Sequence, residues 1–94
     1  MAGERRKAER GVDFLPKFRE DLAWWIKTDR RVALRLLEIV EATLADPFVG
    51  IGKPEPLRHE FAGCWSRRIT HEHRLVYRVT TERIDFLQAR YHYE

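Results

Sequence analysis

Cysteine is almost absent: Cys64 is the single one among 94 residues. One thiol excludes an internal disulfide and any zinc framework built on cysteines, and it fits a reducing compartment, so a cytoplasmic location is expected. Long apolar runs are missing as well. No stretch approaches the about 20 residues of a membrane-spanning helix, and no apolar segment follows the opening charges to read as a signal peptide, so no membrane partner is expected. A strong charge imbalance is also lacking. The net charge of +3 is too small to argue for nucleic acid on its own. What is present is an ordinary globular composition, 44% hydrophobic, in a chain sized for one domain near the lower limit of a single unstapled core.

The opening "MAGERRKAER" has no apolar periodicity and reads as a disordered leader or expression remnant, leaving residues 11–94 as the single domain. "GVDF" has the composition of a short first strand, ended by Pro16. From Lys17, Phe18, Leu22, Trp25 and Ile26 follow the spacing of an amphipathic helix. Asp29, with Thr28 as competitor, is the expected N-cap of a second helix. Its buried stripe runs through Val32, Leu36, Ile39, Val40 and Thr43, and Asp46-Pro47 ends it.

Beyond Gly63 the period changes to two. "CWSRRITHE" sets Trp65, Arg67, Ile69 and His71 on one face against Ser66, Arg68 and Thr70 on the other. "RLVYRVT" sets Leu75, Tyr77 and Val79 against Arg74, Val76 and Arg78, and "RIDFLQARYHY" is read as a third strand after a turn near Thr81-Glu82. The expected fold is α+β: two N-terminal helices packed on one face of a small antiparallel sheet.

Several sites can be weighed from these residues. His71 and His73 are two apart, but Glu72 and an expected turn lie between them. No Cys cluster, HExxH helix or Asp-rich loop accompanies them, so no metal is assigned and they read as solvated turn histidines. "GIGKPEP" fails as a phosphate loop, because Pro47 and Pro54 stand where a Walker motif needs glycine and a hydroxyl. It reads either as a rigid connector or as a mount for the Glu55 carboxylate. Arg67, Arg68, Arg74, Arg78 and Arg90 fall on the strand segments. They are either a solvated sheet face or a phosphate-binding surface, with Glu55, His59 and His92 as titratable neighbours.

"DPFVGIGKPEPLRHEFAGCWSRRITHEHRLVYRVT", with the terminal "ARYHY", resembles the YoeB branch of the RelE-like toxins of bacterial toxin–antitoxin systems, over roughly residues 12–93 without a gap. The densest motifs are "GKPEPL", "GxWSRRI", "EHRLVY" and "RYHY". The resemblance implies a microbial-ribonuclease-like fold and a ribosome-associated endoribonuclease that cuts mRNA in the decoding site without a cofactor. It implies Glu55 as general base, Arg74 as phosphate and transition-state ligand, His92 as general acid, and Tyr93 beside it. Lys53, Arg58, Arg67, Arg68 and Arg90 complete the basic set expected to contact RNA. The implied partner is a YefM-type antitoxin, with operator DNA reached only through the antitoxin complex and a homodimer left open.

Three departures from the family pattern stand out: Glu94 follows the tyrosine at which the family typically ends, Arg58 stands where a lysine is common, and the first helix begins Phe18-Arg19 where an aromatic followed by acidic residues is expected. Residues 1–10 have no counterpart. A non-enzymatic binding module and a DNA-binding repressor are the competing classes. Retention of Glu55, Arg74, His92 and Tyr93 favours the enzyme, and neither helix carries a basic face. Strict alternation would send His92 and Tyr93 to opposite faces, so the tail is expected to leave regular β structure near its end.

Overall fold

A computed structural model describes residues 10–91. The chain begins with a strand, β1 (Gly11–Phe14), and enters α1 (Pro16–Thr28) through Pro16, whose fixed φ and missing N–H suit a first helical turn. Asp29 then serves both helices. Its N–H closes α1 on the Trp25 carbonyl at 2.7 Å, and its carboxylate accepts from the Val32 N–H to open α2 (Arg30–Ala45). Asp46 ends α2 before Pro47 and turns the chain by accepting from the N–H groups of Phe48 and Val49.

The rest is sheet: β2 (Glu55–Pro56), β3 (Cys64–Arg68), β4 (Arg74–Val79) and β5 (Arg83–Gln88), with a 3-10 turn at His59–Phe61. The spatial order is β1-β5-β4-β3-β2. Four strands run antiparallel, but β1 pairs parallel to β5, Gly11 opposite Arg83 and Phe14 opposite Phe86. The α+β expectation of two helices on a sheet is met, with the correction that the sheet is mixed. A parallel edge was invisible in a four-residue segment whose partner lies some seventy positions away.

The helices cover one face. Phe18, Trp25, Ala33, Leu36, Ile39 and Val40 pack on Ile69, Leu75, Tyr77, Ile84, Phe86 and Ala89. The expected α1 stripe needs one correction, since Ile26 is exposed and Asp21 takes a buried place instead. The opposite face has a closed centre, Cys64, Ser66 and Val76, and an exposed rim that includes Glu55, Arg68 and Arg78. Arg10, assigned to the leader from sequence, belongs to the folded domain: its Nε donates to the Thr80 carbonyl at 2.8 Å. The rest of the leader lies outside the described residues.

Candidate active site

The site begins with a buried arginine. Parity places Arg67 on the helix side of β3 with Trp65 and Ile69, and there it is fully buried. Its guanidinium donates to the carbonyls of Asp46, Val49 and Ile51 and to the Tyr77 hydroxyl. The Tyr77 hydroxyl in turn donates to the Pro47 carbonyl at 2.7 Å. Burial pushes the Tyr77 pKa up, with Arg67 opposing the shift. One arginine therefore organises the loop from Asp46 to Ile51. Its assignment as an RNA contact is corrected: the side chain is fully buried, and its guanidinium is engaged by this loop and by Tyr77.

The loop needs its glycines. Gly52 has φ +81, and a Cβ there would lie 3.1 Å from both the Arg67 Cβ and the Arg68 carbonyl oxygen. That closeness lets the Gly52 carbonyl accept from the Arg68 N–H at 2.6 Å. Lys53 follows in the left-handed region, φ 52, uncommon for a side-chain-bearing residue. The chain then straightens through Pro54 into β2. Both readings of "GIGKPEP" merge here, because the rigid connector delivers Glu55.

Sheet register then decides what Glu55 meets. Glu55 pairs with Ser66, and Ser66 pairs with Val76, so these three share the open face. Arg74 lies on that face two residues before Val76. Its Nη1 donates to the Ser66 Oγ at 3.1 Å and stands 3.5 Å from a Glu55 carboxylate oxygen. The pair is accessible from one side, with Glu55 exposed and Arg74 mostly covered. Arg68, cross-strand neighbour of Arg74, and Lys53 and Arg58 are exposed.

The tail approaches the same strand end. β5 stops at Gln88, and Tyr91 takes φ 63, so strand alternation is broken before His92. The Arg74 N–H donates to the Tyr91 carbonyl at 3.2 Å, placing the residue before His92 against the start of β4. His92 and Tyr93 themselves lie outside the described residues. Arg90 is drawn to α1: its guanidinium stacks 3.8 Å over the Trp24 ring, and Nη1 is 4.0 Å from Asp21. The structure thus unites Glu55 and Arg74 and turns Arg90 toward the helix.

Three contributors were not read as site residues. Ser66 shares the parity of Arg68, which was its only signal. Asp21 breaks the apolar stripe of α1, a signal of a buried partner. His73, read as a solvated turn residue, has its Nδ1 accepting from the Tyr91 N–H at 2.7 Å and its ring edge-on to Trp25. Among the described residues no three His, Cys, Asp or Glu side chains come together to hold a metal ion.

The profile of a family described as YoeB-like toxin of bacterial type II toxin–antitoxin system matches residues 14–93. The chain belongs to that family. It is similar to the toxin YoeB of Mycobacterium bovis, 50% identical over 84 residues that make up 89% of this chain and 99% of the relative. Among solved structures it is similar to a YoeB dimer from Staphylococcus aureus, with a TM-score of 0.80 and 36% identity over 92% of this chain and 100% of that one. It is also similar to a YoeB–YefM complex from the same organism, with a TM-score of 0.77 and 34% identity over the same shares. The chain is a YoeB/RelE-like toxin of a type II toxin–antitoxin system.

Proposed function

We propose that this toxin is an endoribonuclease that cleaves mRNA in the ribosomal decoding site by internal attack of the RNA 2′-hydroxyl. The observation that carries the reading is the Glu55–Arg74 pair on the open sheet face, 3.5 Å apart, with the Tyr91 carbonyl held on the Arg74 N–H beside it. Glu55 takes the proton of the 2′-hydroxyl as O2′ attacks phosphorus. Arg74, steadied by Ser66, meets the charge that grows on the phosphorane oxygens. An incoming phosphate competes with Glu55 for that guanidinium, which frees the carboxylate to act as base. The 5′-oxygen then leaves with a proton from His92, a residue type whose ordinary pKa of about 6.5 suits the task. The products are a 2′,3′-cyclic phosphate upstream and a 5′-hydroxyl downstream. Arg68, Lys53 and Arg58 supply a basic margin for neighbouring phosphates, and Tyr93 offers a ring on which an unpaired base stacks.

The chemistry needs no metal, since base, charge stabiliser and acid are all side chains. The proposed setting is the cytoplasm, where a lone buried thiol is stable and ribosomes are present. The proposed partner is a YefM-type antitoxin whose acidic segment lies on the arginine face, with operator DNA bound only through that complex. The solved YoeB–YefM complex and YoeB dimer support such an antitoxin and a homodimer for this chain.

Programmed ribosomes carrying a message with one 2′-deoxy nucleotide at the cut site provide the test. The deoxy message is expected to stay intact there, while unsubstituted RNA is cut to a cyclic or 3′-phosphate end. Efficient cleavage of the deoxy message, or a 3′-hydroxyl product, would mean that water attacks instead and that Glu55 and His92 lose their assigned roles.

A further inference from the structure

We infer that Asp21 and Trp25 of α1 are positioning residues: together they clamp the Ala89 peptide and so fix where the chain leaves β5 for the active site. The inference rests on the ribonuclease reading above. Beyond Gln88 regular strand pairing stops. β1 pairs with β5 only as far as Phe86, and the last β4 partner of β5 is Val76, opposite Gln88. Side chains take over. The Asp21 Oδ2 accepts from the Ala89 N–H at 2.9 Å, and the Trp25 indole N–H donates to the Ala89 carbonyl at 2.8 Å. One turn of α1 thus satisfies both backbone polar groups of a fully buried residue, as a neighbouring strand would.

Asp21 is an expensive choice for this place. Its side chain is fully buried in a helix stripe where a leucine would pack without desolvating a charge. Lys17, 2.9 Å away, and Arg90 balance the carboxylate, and the hydrogen bond to Asp21 raises the Lys17 pKa. What the carboxylate supplies and leucine cannot is a directed acceptor for one backbone N–H.

Two residues further on the chain is fixed again. Tyr91 is held in the left-handed region, costly for a tyrosine, by its N–H on the His73 Nδ1 and its carbonyl on the Arg74 N–H. The same indole reaches this second point, for the His73 ring packs edge-on to Trp25 with centroids 4.8 Å apart. Trp25 therefore touches the tail at Ala89 directly and at Tyr91 through His73. Helix α1 thus sets the fixed point at Ala89 and buttresses the one at Tyr91, the residue before His92. A shift of about 1 Å in such a point is enough to cost about 10²-fold in rate.

The test uses the full-length toxin in two measurements. Amide hydrogen exchange on the free protein compares Ala89 and Tyr91 with Phe86 in wild type, Asp21→Ala, Asp21→Asn and Trp25→Phe. Cleavage of message on programmed ribosomes gives kcat and KM for the same proteins. The expected result is fast exchange at Ala89 in Asp21→Ala and at Tyr91 in Trp25→Phe, with Phe86 still protected in both. These two should lose about 10²-fold in kcat with KM unchanged. Asp21→Asn, which keeps an acceptor oxygen, should recover much of both losses. Ile39→Val thins the core away from the clamp and is expected to keep its kcat. Unchanged exchange at Ala89 in Asp21→Ala or at Tyr91 in Trp25→Phe, or fast exchange with wild-type kcat, would overturn the inference. So would an equal kcat loss in Ile39→Val, which would reduce the effect to global stability. If wild type leaves the message intact, the ribonuclease reading falls and the catalytic purpose of the clamp falls with it. The exchange data then still report whether the clamp exists.

Discussion

Arg67 and Arg74 come from adjacent strands of one sheet, yet they do opposite work. Arg67 points to the helix side, where three carbonyls and a tyrosine hydroxyl engage it. Arg74 points to the open side, where it has one hydroxyl and one carboxylate and keeps an approach from solvent. The difference teaches that an arginine on a strand is a binding residue only when the fold leaves its fork unfilled. Arg67 builds the loop that carries Glu55. Arg74 uses what that loop delivers.

The comparison is broken most forcefully at Arg67. Arg67→Ala empties a fully buried site and removes the donor to the part-buried carbonyls of Asp46, Val49 and Ile51 and to the buried Tyr77 hydroxyl, at about 1 kcal/mol for each hydrogen bond lost. A loss of about 3 kcal/mol or more is expected, a large part of the roughly 5–15 kcal/mol that holds a domain together. Arg67→Lys should recover little, because an ammonium lacks the planar fork. Urea unfolding measures both. A midpoint near wild type for Arg67→Ala would erase the structural half of the contrast.

Next comes the functional half. Arg74→Ala should lower cleavage by about 10²–10³-fold, the scale of removing one transition-state donor. Its unfolding free energy should stay within about 1 kcal/mol of wild type, since the Glu55 carboxylate it pairs with is exposed and stays hydrated without it. Glu55→Gln should fall by about 10²–10⁴-fold as a lost general base. Single-turnover cleavage on ribosomes, set beside urea curves, separates the two arginines. A variant of Arg74 that unfolds easily but cuts normally would reverse their roles.

Ser66 sharpens the contrast on a smaller scale. Ser66→Ala removes the hydroxyl that steadies Arg74, a bond worth about 1 kcal/mol, and should slow cleavage roughly five-fold. The smallest effect is the alkaline limb of stability. Burial raises the pKa of Cys64, on the open face, above its ordinary 9.0 and that of Tyr77, on the helix side, above 10.0. The Asp21 hydrogen bond raises Lys17 above 10.5. In each case the folded state holds its proton to higher pH than the unfolded chain, so stability is complete below about pH 9 and declines as pH rises through these values. Cys64→Ala should move the onset of that decline from near 9.0 toward 10.0, read from urea midpoints across the alkaline range. An unchanged onset would show that the open-face thiol contributes nothing to it.

Much of this architecture was legible as local pattern. The two-residue period from Cys64 to Val79 put Arg67 with Trp65 and Ile69, and Arg74 with Val76, on the faces they occupy. The α2 stripe, the Asp29 cap and the Asp46-Pro47 stop were equally plain, because each depends on residues within one or two turns. Glu55 and Arg74 were named through the family's motifs, and the register brings them together.

What could not be read is set by closure of the chain. Parity set Arg67 beside Trp65 and Ile69, yet it was read as an RNA contact, because its acceptors lie in a loop 16–21 positions earlier and nothing local says where that loop will pass. The parallel edge between β1 and β5, and the grip of Asp21 and Trp25 on Ala89 across 68 and 64 residues, are likewise decided only when distant segments meet. Amino-acid order by itself determined the helices, the strand faces and the chemical types available, since propensity and periodicity act between near neighbours. Tertiary structure alone decided which arginine is filled and which stays open, because hydrogen bonds are directional and short and only the folded backbone brings their far partners within reach.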